Sequence, residues 1–153
     1  MKLSPHFYLH EFQSEWDFVE PSEDVVHNLE RLCNEVLEPL REAIGKPIKI
    51  TSGYRSAKYN LAIGGAKGSM HTTGMAADIA IGGVIDQAKL AAIASRIPAC
   101  GGIGLYEEKG IIHVDIRNRV GNKPTYWFQD AKGRYVGLPA GLRQMIKQAG
   151  GKV

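Results

Sequence analysis

Apolar positions recur at three- and four-residue steps between 22 and 45: Val25, Val26, Leu29, Leu32, Val36, Leu40 and Ile44. That spacing lines one face of an α-helix. Ser22 suits its N-cap, Glu23 and Asp24 suit the positively polarised first turn, and Gly45 suits its end. Pro39 interrupts the pattern. It has no N–H for the carbonyl of Glu35, so the helix is expected to kink or divide there. After Pro47 the period changes. Ile48 and Ile50 alternate with Lys49 and Thr51, which predicts a short strand running into the glycine turn of "SGYRS". One or two helical turns are expected over 56–62, and Gly64, Gly65 and Gly68 make "IGGAKGS" a loop. "MAADIAI" reads as a strand of small residues. Leu90, Ala91, Ile93, Ala94 and Ile97 predict a second helix over 86–97, stopped by Pro98. "GIGLY" and "IIHVDI", separated by "EEKG", carry a hairpin signal in which Gly110 permits a positive φ at the turn. "TYWFQ" adds a further short strand, and 139–148 a C-terminal helix.

These elements predict an α+β fold, a small antiparallel β-sheet with helices packed against it. No internal repeat, low-complexity tract or linker interrupts the chain, so one domain over 1–153 is expected.

Composition narrows the classes. With 44% apolar and 23% charged residues, the 153-residue chain can bury a real core. No apolar run is long enough to span a membrane. "MKLSPHFYLHEF" has no apolar h-region and no small-residue cleavage site, so no secretory signal is expected. The protein is then cytoplasmic as synthesised, and action outside needs another means of release. The net charge is +3, but Arg31, Arg41, Lys58, Arg117, Arg134 and Lys147 are scattered, which gives nucleic-acid binding little support. A mild positive charge suits an anionic cell-envelope polymer. Cys33 and Cys100 form no CxxC pair, which excludes a four-cysteine zinc site. Cys33 falls on the apolar helix face, where a reduced core thiol is expected.

The chemistry-bearing stretch is "SMHTTGMAADIAI", Ser69 to Ile81. On residues alone two readings stand. His71 is a loop histidine and Asp78 a charge at a strand edge, or both point at one metal ion. Zinc takes imidazole nitrogen and carboxylate oxygen, and a catalytic site often uses three protein ligands. His71, Asp78 and His113 offer such a set, provided that adjacent strands bring Asp78 and His113 side by side and Gly74 bends the loop sharply. His6, His10 and His27 are weaker. His27 lies on the polar side of its helix, and "HEF" at 10–12 has no second histidine at i+4, so it is not the helical zinc motif of metalloproteases. "YWF" at 126–128 either lines a groove or simply packs.

Three blocks in order, "SGYRSAKYN" (52–60), "GGAKGSMHTTGMAADI" (64–79) and "GGIGLYEEKGIIHVDIR" (101–117), resemble the D-Ala-D-Ala carboxypeptidase family of zinc peptidases. The resemblance covers roughly residues 20 to 130. The family includes D-Ala-D-Ala carboxypeptidases and dipeptidases, murein endopeptidases and phage endolysins, and the zinc-binding signalling domain of hedgehog proteins is similar in fold. The resemblance implies Zn2+ held by His71, Asp78 and His113. It implies that Arg55 binds substrate and stabilises the developing oxyanion, and that Ser69 contacts substrate. Dipeptidases of the family place a glutamate three residues before the last histidine ligand. Here that position is Gly110. "YEEKGIIH" is similar to the hedgehog stretch, with Glu107 six residues before His113, so Glu107 is expected as general base. Asp115, which shares a strand face with His113, is its rival or a supporting carboxylate.

The resemblance implies hydrolysis of an amide bond in a peptidoglycan stem peptide or cross-link by a D-Ala-D-Ala-type carboxypeptidase or a murein endopeptidase, a phage lysin among them, and a monomer without a membrane span is expected. A phage lysin released by a holin, a phage tail component and a cytoplasmic dipeptidase all suit the N-terminus. The alternative is a zinc-containing binding module of hedgehog-like fold without catalysis. Gly110 favours the second, and the retained Arg55, Ser69 and Glu107 favour the first.

Overall fold

In the computed structural model the structure describes residues 1–80, 87–107 and 111–153. The turn expected at Gly110 and the start of the helix expected at 86 lie outside these residues. The elements are β1 (Lys2–Ser4), β2 (Phe7–Tyr8), α1 (Glu23–Leu32), α2 (Glu38–Ile44), β3 (Lys49–Ser52), α3 (Ala57–Ala62), β4 (Ala76–Ala80), α4 (Gln87–Ser95), β5 (Gly102–Tyr106), β6 (Ile111–Asp115), β7 (Thr125–Gln129), β8 (Tyr135–Val136) and α5 (Ala140–Gln148). The α+β expectation holds. β1 and β2 form a small antiparallel hairpin, and the larger sheet runs β3-β4-β6-β5-β7-β8. All its pairs are antiparallel except β5 and β7, which run parallel.

The first helical stripe forms as its spacing predicts. Ser22 caps α1 by accepting from the Val25 N–H. At Pro39 the chain answers the missing donor with a π turn, Cys33–Leu37, in which the Glu38 N–H bonds to the Cys33 carbonyl. The extra residue in that turn absorbs the disruption, and the helical path continues into α2 with Leu29, Leu32, Val36, Leu37 and Leu40 all buried. Glu38 ties the N-terminal hairpin to this helix. Its carboxylate accepts from Ser4 Oγ at 2.7 Å and from the His6 N–H at 2.7 Å.

The sheet alternates with period two. Ala77, Ile79, Ile103, Leu105, Ile112, Val114 and Phe128 point to one face and join the helices in one hydrophobic cluster. α4 packs on β5 and β6, α2 and α5 on α4. Cys33 and Cys100 are buried in this cluster as free thiols, and burial pushes both up to about 12. The opposite face carries Asp78, His113, Asp115 and the glycines of β5. Among the described residues no helix is long and apolar enough to cross a membrane.

Candidate metal and active site

One row of the sheet builds the site. Ser52 pairs with Asp78, Asp78 with His113, His113 with Gly104, and Gly104 with Trp127. Partners in register share a face, so Asp78 and His113 stand side by side over the sheet. His71 comes from the loop. Ser69 caps a 3-10 turn, Met70–Thr73, by accepting from the His71 N–H at 3.2 Å. Gly74 leaves that turn at φ +75, and a Cβ there would meet the Val25 carbonyl oxygen at 2.7 Å. A side chain is therefore excluded twice, by backbone conformation and by α1. Asn28 of α1 donates to the Thr73 carbonyl at 2.9 Å and closes the loop over the sheet.

The three expected ligands converge. His71 Nε2 and His113 Nδ1 lie 3.4 and 3.2 Å from the same oxygen, Asp78 Oδ1. One ligand atom from each lies within 4.8 Å of the others, and all three residues are buried. The far ring nitrogens are committed elsewhere. His71 Nδ1 lies 2.7 Å from the Gly53 carbonyl, to which it donates, and His113 Nε2 lies 2.8 Å from Asp115 Oδ2. Each ring thus turns its remaining nitrogen toward Asp78. Two imidazole nitrogens and a carboxylate oxygen, oriented by second hydrogen bonds, fit a metal ion of zinc's preferences.

Electrostatics keep the acids ionised. Burial opposes the charge of Asp78, but hydrogen bonds from His113 and His71 outweigh it and hold the carboxyl well below the usual range. For Asp115 burial is likewise overcome by His113 and Arg117, and its value falls to about 2. His113 gains in the opposite sense, since burial lowers its proton affinity but Asp115 and Asp78 raise it further.

Arg55 enters from the loop after β3. Its backbone N–H bonds to the His71 carbonyl at 3.1 Å. Nε donates to Ser52 Oγ at 3.1 Å, Nη1 to Asn60 Oδ1 at 3.3 Å, and Nη2 lies 3.5 Å from Asp78 Oδ2. Asn60 is buried and also donates to the Ala66 carbonyl at 3.0 Å, so one amide fixes both the guanidinium and the glycine loop. Asp115 is fully buried. Arg117 grips it with Nε at 2.9 Å to Oδ1 and Nη2 at 2.7 Å to Oδ2. Glu107 follows β5, exposed, with its N–H on the Gln129 carbonyl at 2.9 Å.

A cavity of about 370 Å³ opens over this row. One wall is the loop from Gly65 to Met70, including Ser69. The other carries Tyr106, Trp127 and Tyr135, with His71, His113, Arg55 and Arg117 between them. Glu107 and Asp115 do not line it. Trp127 settles the two readings of "YWF". Its ring lies 4.6 Å from that of His113 with the Arg117 guanidinium 4.9 Å away, while Phe128 turns into the core. Gly104 makes room, since a Cβ there would meet Trp127 Cε2 at 2.5 Å. Gly104→Ala is expected to displace the indole, to cost about 1–3 kcal/mol by overpacking, and to shift tryptophan emission. A denaturant midpoint and an emission spectrum check it.

The residues sequence reasoning passed over are Asn60 and Tyr106. Period-two alternation from Gly104 places Tyr106 on the site face, a signal present in the sequence. The Asn60 contact depends on how α3 folds back and carried no such signal.

A family model described as Peptidase M15 matches residues 5–115, and the chain belongs to this family. No curated protein matches the chain.

Proposed function

We propose that the chain is a zinc-dependent peptidase that hydrolyses an amide bond in peptidoglycan stem peptides or cross-links. The observation that carries this reading is the convergence of His71 Nε2, His113 Nδ1 and Asp78 Oδ1 beside a cavity that Arg55 also lines. Family membership supplies the peptidase class. The resemblance of the three sequence blocks to murein-cutting enzymes supplies the substrate, and the cations Arg55, Lys67 and Arg117 on the cavity wall suit a peptide bearing carboxylates.

Bound by His71, Asp78 and His113, zinc supplies Lewis acidity and makes hydroxide accessible near neutral pH. Arg55 places a fixed guanidinium where the carbonyl oxygen becomes anionic. Ser69 Oγ accepts from the His71 N–H and keeps its own O–H for the substrate. Asp115, with both oxygens committed, positions His113. Glu107 takes a proton from the attacking water and returns it to the leaving amine, a role that rests on the resemblance of "YEEKGIIH" to the hedgehog zinc-site stretch.

Two expected results follow for Asp115→Asn. Zinc affinity falls about 10- to 100-fold, measured by competition with a chelating dye. In the metal-free protein, the ionised Asp115 contributes stability above its ordinary value near 4, and this is lost as pH falls toward about 2. The contribution is on the order of 2 kcal/mol. Thermal midpoints between pH 5 and 2 are therefore flatter in the variant than in the parent.

Mass spectrometry of peptidoglycan treated with the zinc-loaded protein and with Glu107→Gln tests the function and the base together. New fragments cut at an amide, slower by about 10²-fold or more in the variant, are expected. Fragments that persist at the parent rate remove Glu107 from the proton-transfer role. Stoichiometric zinc without fragments favours the binding module.

A further inference from the structure

We propose that the Tyr106 phenol is a catalytic residue that donates a hydrogen bond to the carbonyl oxygen of the scissile amide, opposite Arg55. The inference rests on the peptidase reading above and names a donor that reading does not contain.

The argument begins with strand geometry. Gly102, Gly104 and Tyr106 of β5 share the site face, two residues apart. Gly104, which pairs with His113, carries no side chain of its own and lets the Trp127 indole lie close, so no β5 side chain stands between Tyr106 and Asp78. Across that space the Tyr106 hydroxyl reaches to 3.4 Å from Asp78 Oδ1. This is the oxygen that His71 Nε2 and His113 Nδ1 approach at 3.4 and 3.2 Å. The phenol therefore points at the place where the ligand atoms meet, and it lines the cavity from the aromatic wall.

Arg55 occupies the other side of the same carboxylate, 3.5 Å from Oδ2. A peptide carbonyl drawn toward the ligand cluster is flanked by a guanidinium on one side and a phenol on the other. The phenol is an O–H donor that is neutral at neutral pH.

The chemistry balances without further reagents. Water oxygen forms a bond to the carbonyl carbon, and the π pair moves onto the carbonyl oxygen. Tyr106 and Arg55 stabilise that oxyanion by hydrogen bonds and transfer no proton. On collapse the C–N bond breaks, its pair goes to nitrogen, and nitrogen takes the proton removed from water. The second water proton stays on the new carboxyl group, so the products are a carboxylic acid and an amine, which together ionise to carboxylate and ammonium.

Tyr106→Phe removes the hydroxyl and keeps the ring. Three quantities are measured beside the parent: zinc affinity, kcat and KM on peptidoglycan fragments at saturating zinc, and affinity for a phosphinate isostere of a D-alanyl-D-alanine peptide. The expected result is zinc affinity within about twofold of the parent and KM nearly unchanged. kcat falls about 10²- to 10³-fold, with a parallel loss in phosphinate affinity. A kcat that stays within about twofold of the parent overturns the inference. So does a loss that tracks weakened zinc binding and recovers at saturating zinc, because the hydroxyl would then only position Asp78. These outcomes leave the peptidase reading intact. A zinc-loaded parent with no turnover overturns that reading, and the role of Tyr106 with it.

Discussion

Asp78→Ala is expected to lose bound zinc and to hydrolyse peptidoglycan at least about 10³-fold more slowly than the parent. Asp78 Oδ1 is the meeting point of both imidazoles, and its far oxygen faces Arg55. Removing it takes away one of the three proposed ligands and the buried anion that holds the two histidines together. Lewis acidity is worth several kcal/mol, and about 4 kcal/mol is a thousandfold in rate. Asp78→Asn is the sharper control, because it keeps the shape and the ladder pairing with His113 but weakens the ligand. It should fold like the parent and still bind zinc poorly. Metal content by mass spectrometry and fragment release by chromatography check both variants. A variant at position 78 that retained full zinc and full turnover would remove Asp78 from the ligand set.

Arg55→Ala is expected to lower kcat about 10²- to 10³-fold while zinc stays bound, the magnitude typical of losing one preorganised donor at an oxyanion. Each guanidinium nitrogen has its own partner: Ser52 Oγ on Nε, Asn60 Oδ1 on Nη1 and Asp78 Oδ2 near Nη2. The charge is thus held in place before substrate arrives. Arg55→Lys should recover little, since an ammonium cannot engage three partners along a planar fork. Steady-state kinetics on peptidoglycan fragments with zinc quantified in the same samples separate this effect from metal loss. A kcat that survived Arg55→Ala would make the arginine a structural tie between the loop and β3.

The convergence of His71, Asp78 and His113 was legible because their chemistry is bound to residue type and their geometry to strand alternation. Asp78 and His113 each sit in a run of apolar residues whose period fixes the facing side, and the ladder pairs them. The helix start at Ser22 and the disruption at Pro39 were legible for equally local reasons, although the π turn that absorbs Pro39 was not. What escaped depends on distant chain. The N-terminal hairpin has strands of three and two residues and is held by Glu38, more than thirty positions away. The parallel pairing of β5 and β7 follows from the path of 116–124 past the start of β5, which no local pattern encodes. Asp115 was read correctly as sharing a face with His113, but its bidentate grip by Arg117 appears only when the chain leaves β6. Lysine and arginine spacing said nothing of the three cations that one cavity gathers.

The most direct test of the central claim is a zinc titration of the metal-free protein, with amide cleavage of peptidoglycan as the readout. The account predicts that cleavage rises in proportion to added zinc and levels off at one equivalent per chain, with no such rise in Asp78→Ala. Cleavage that ignored zinc, or a protein that took up one zinc and cut nothing, would contradict it.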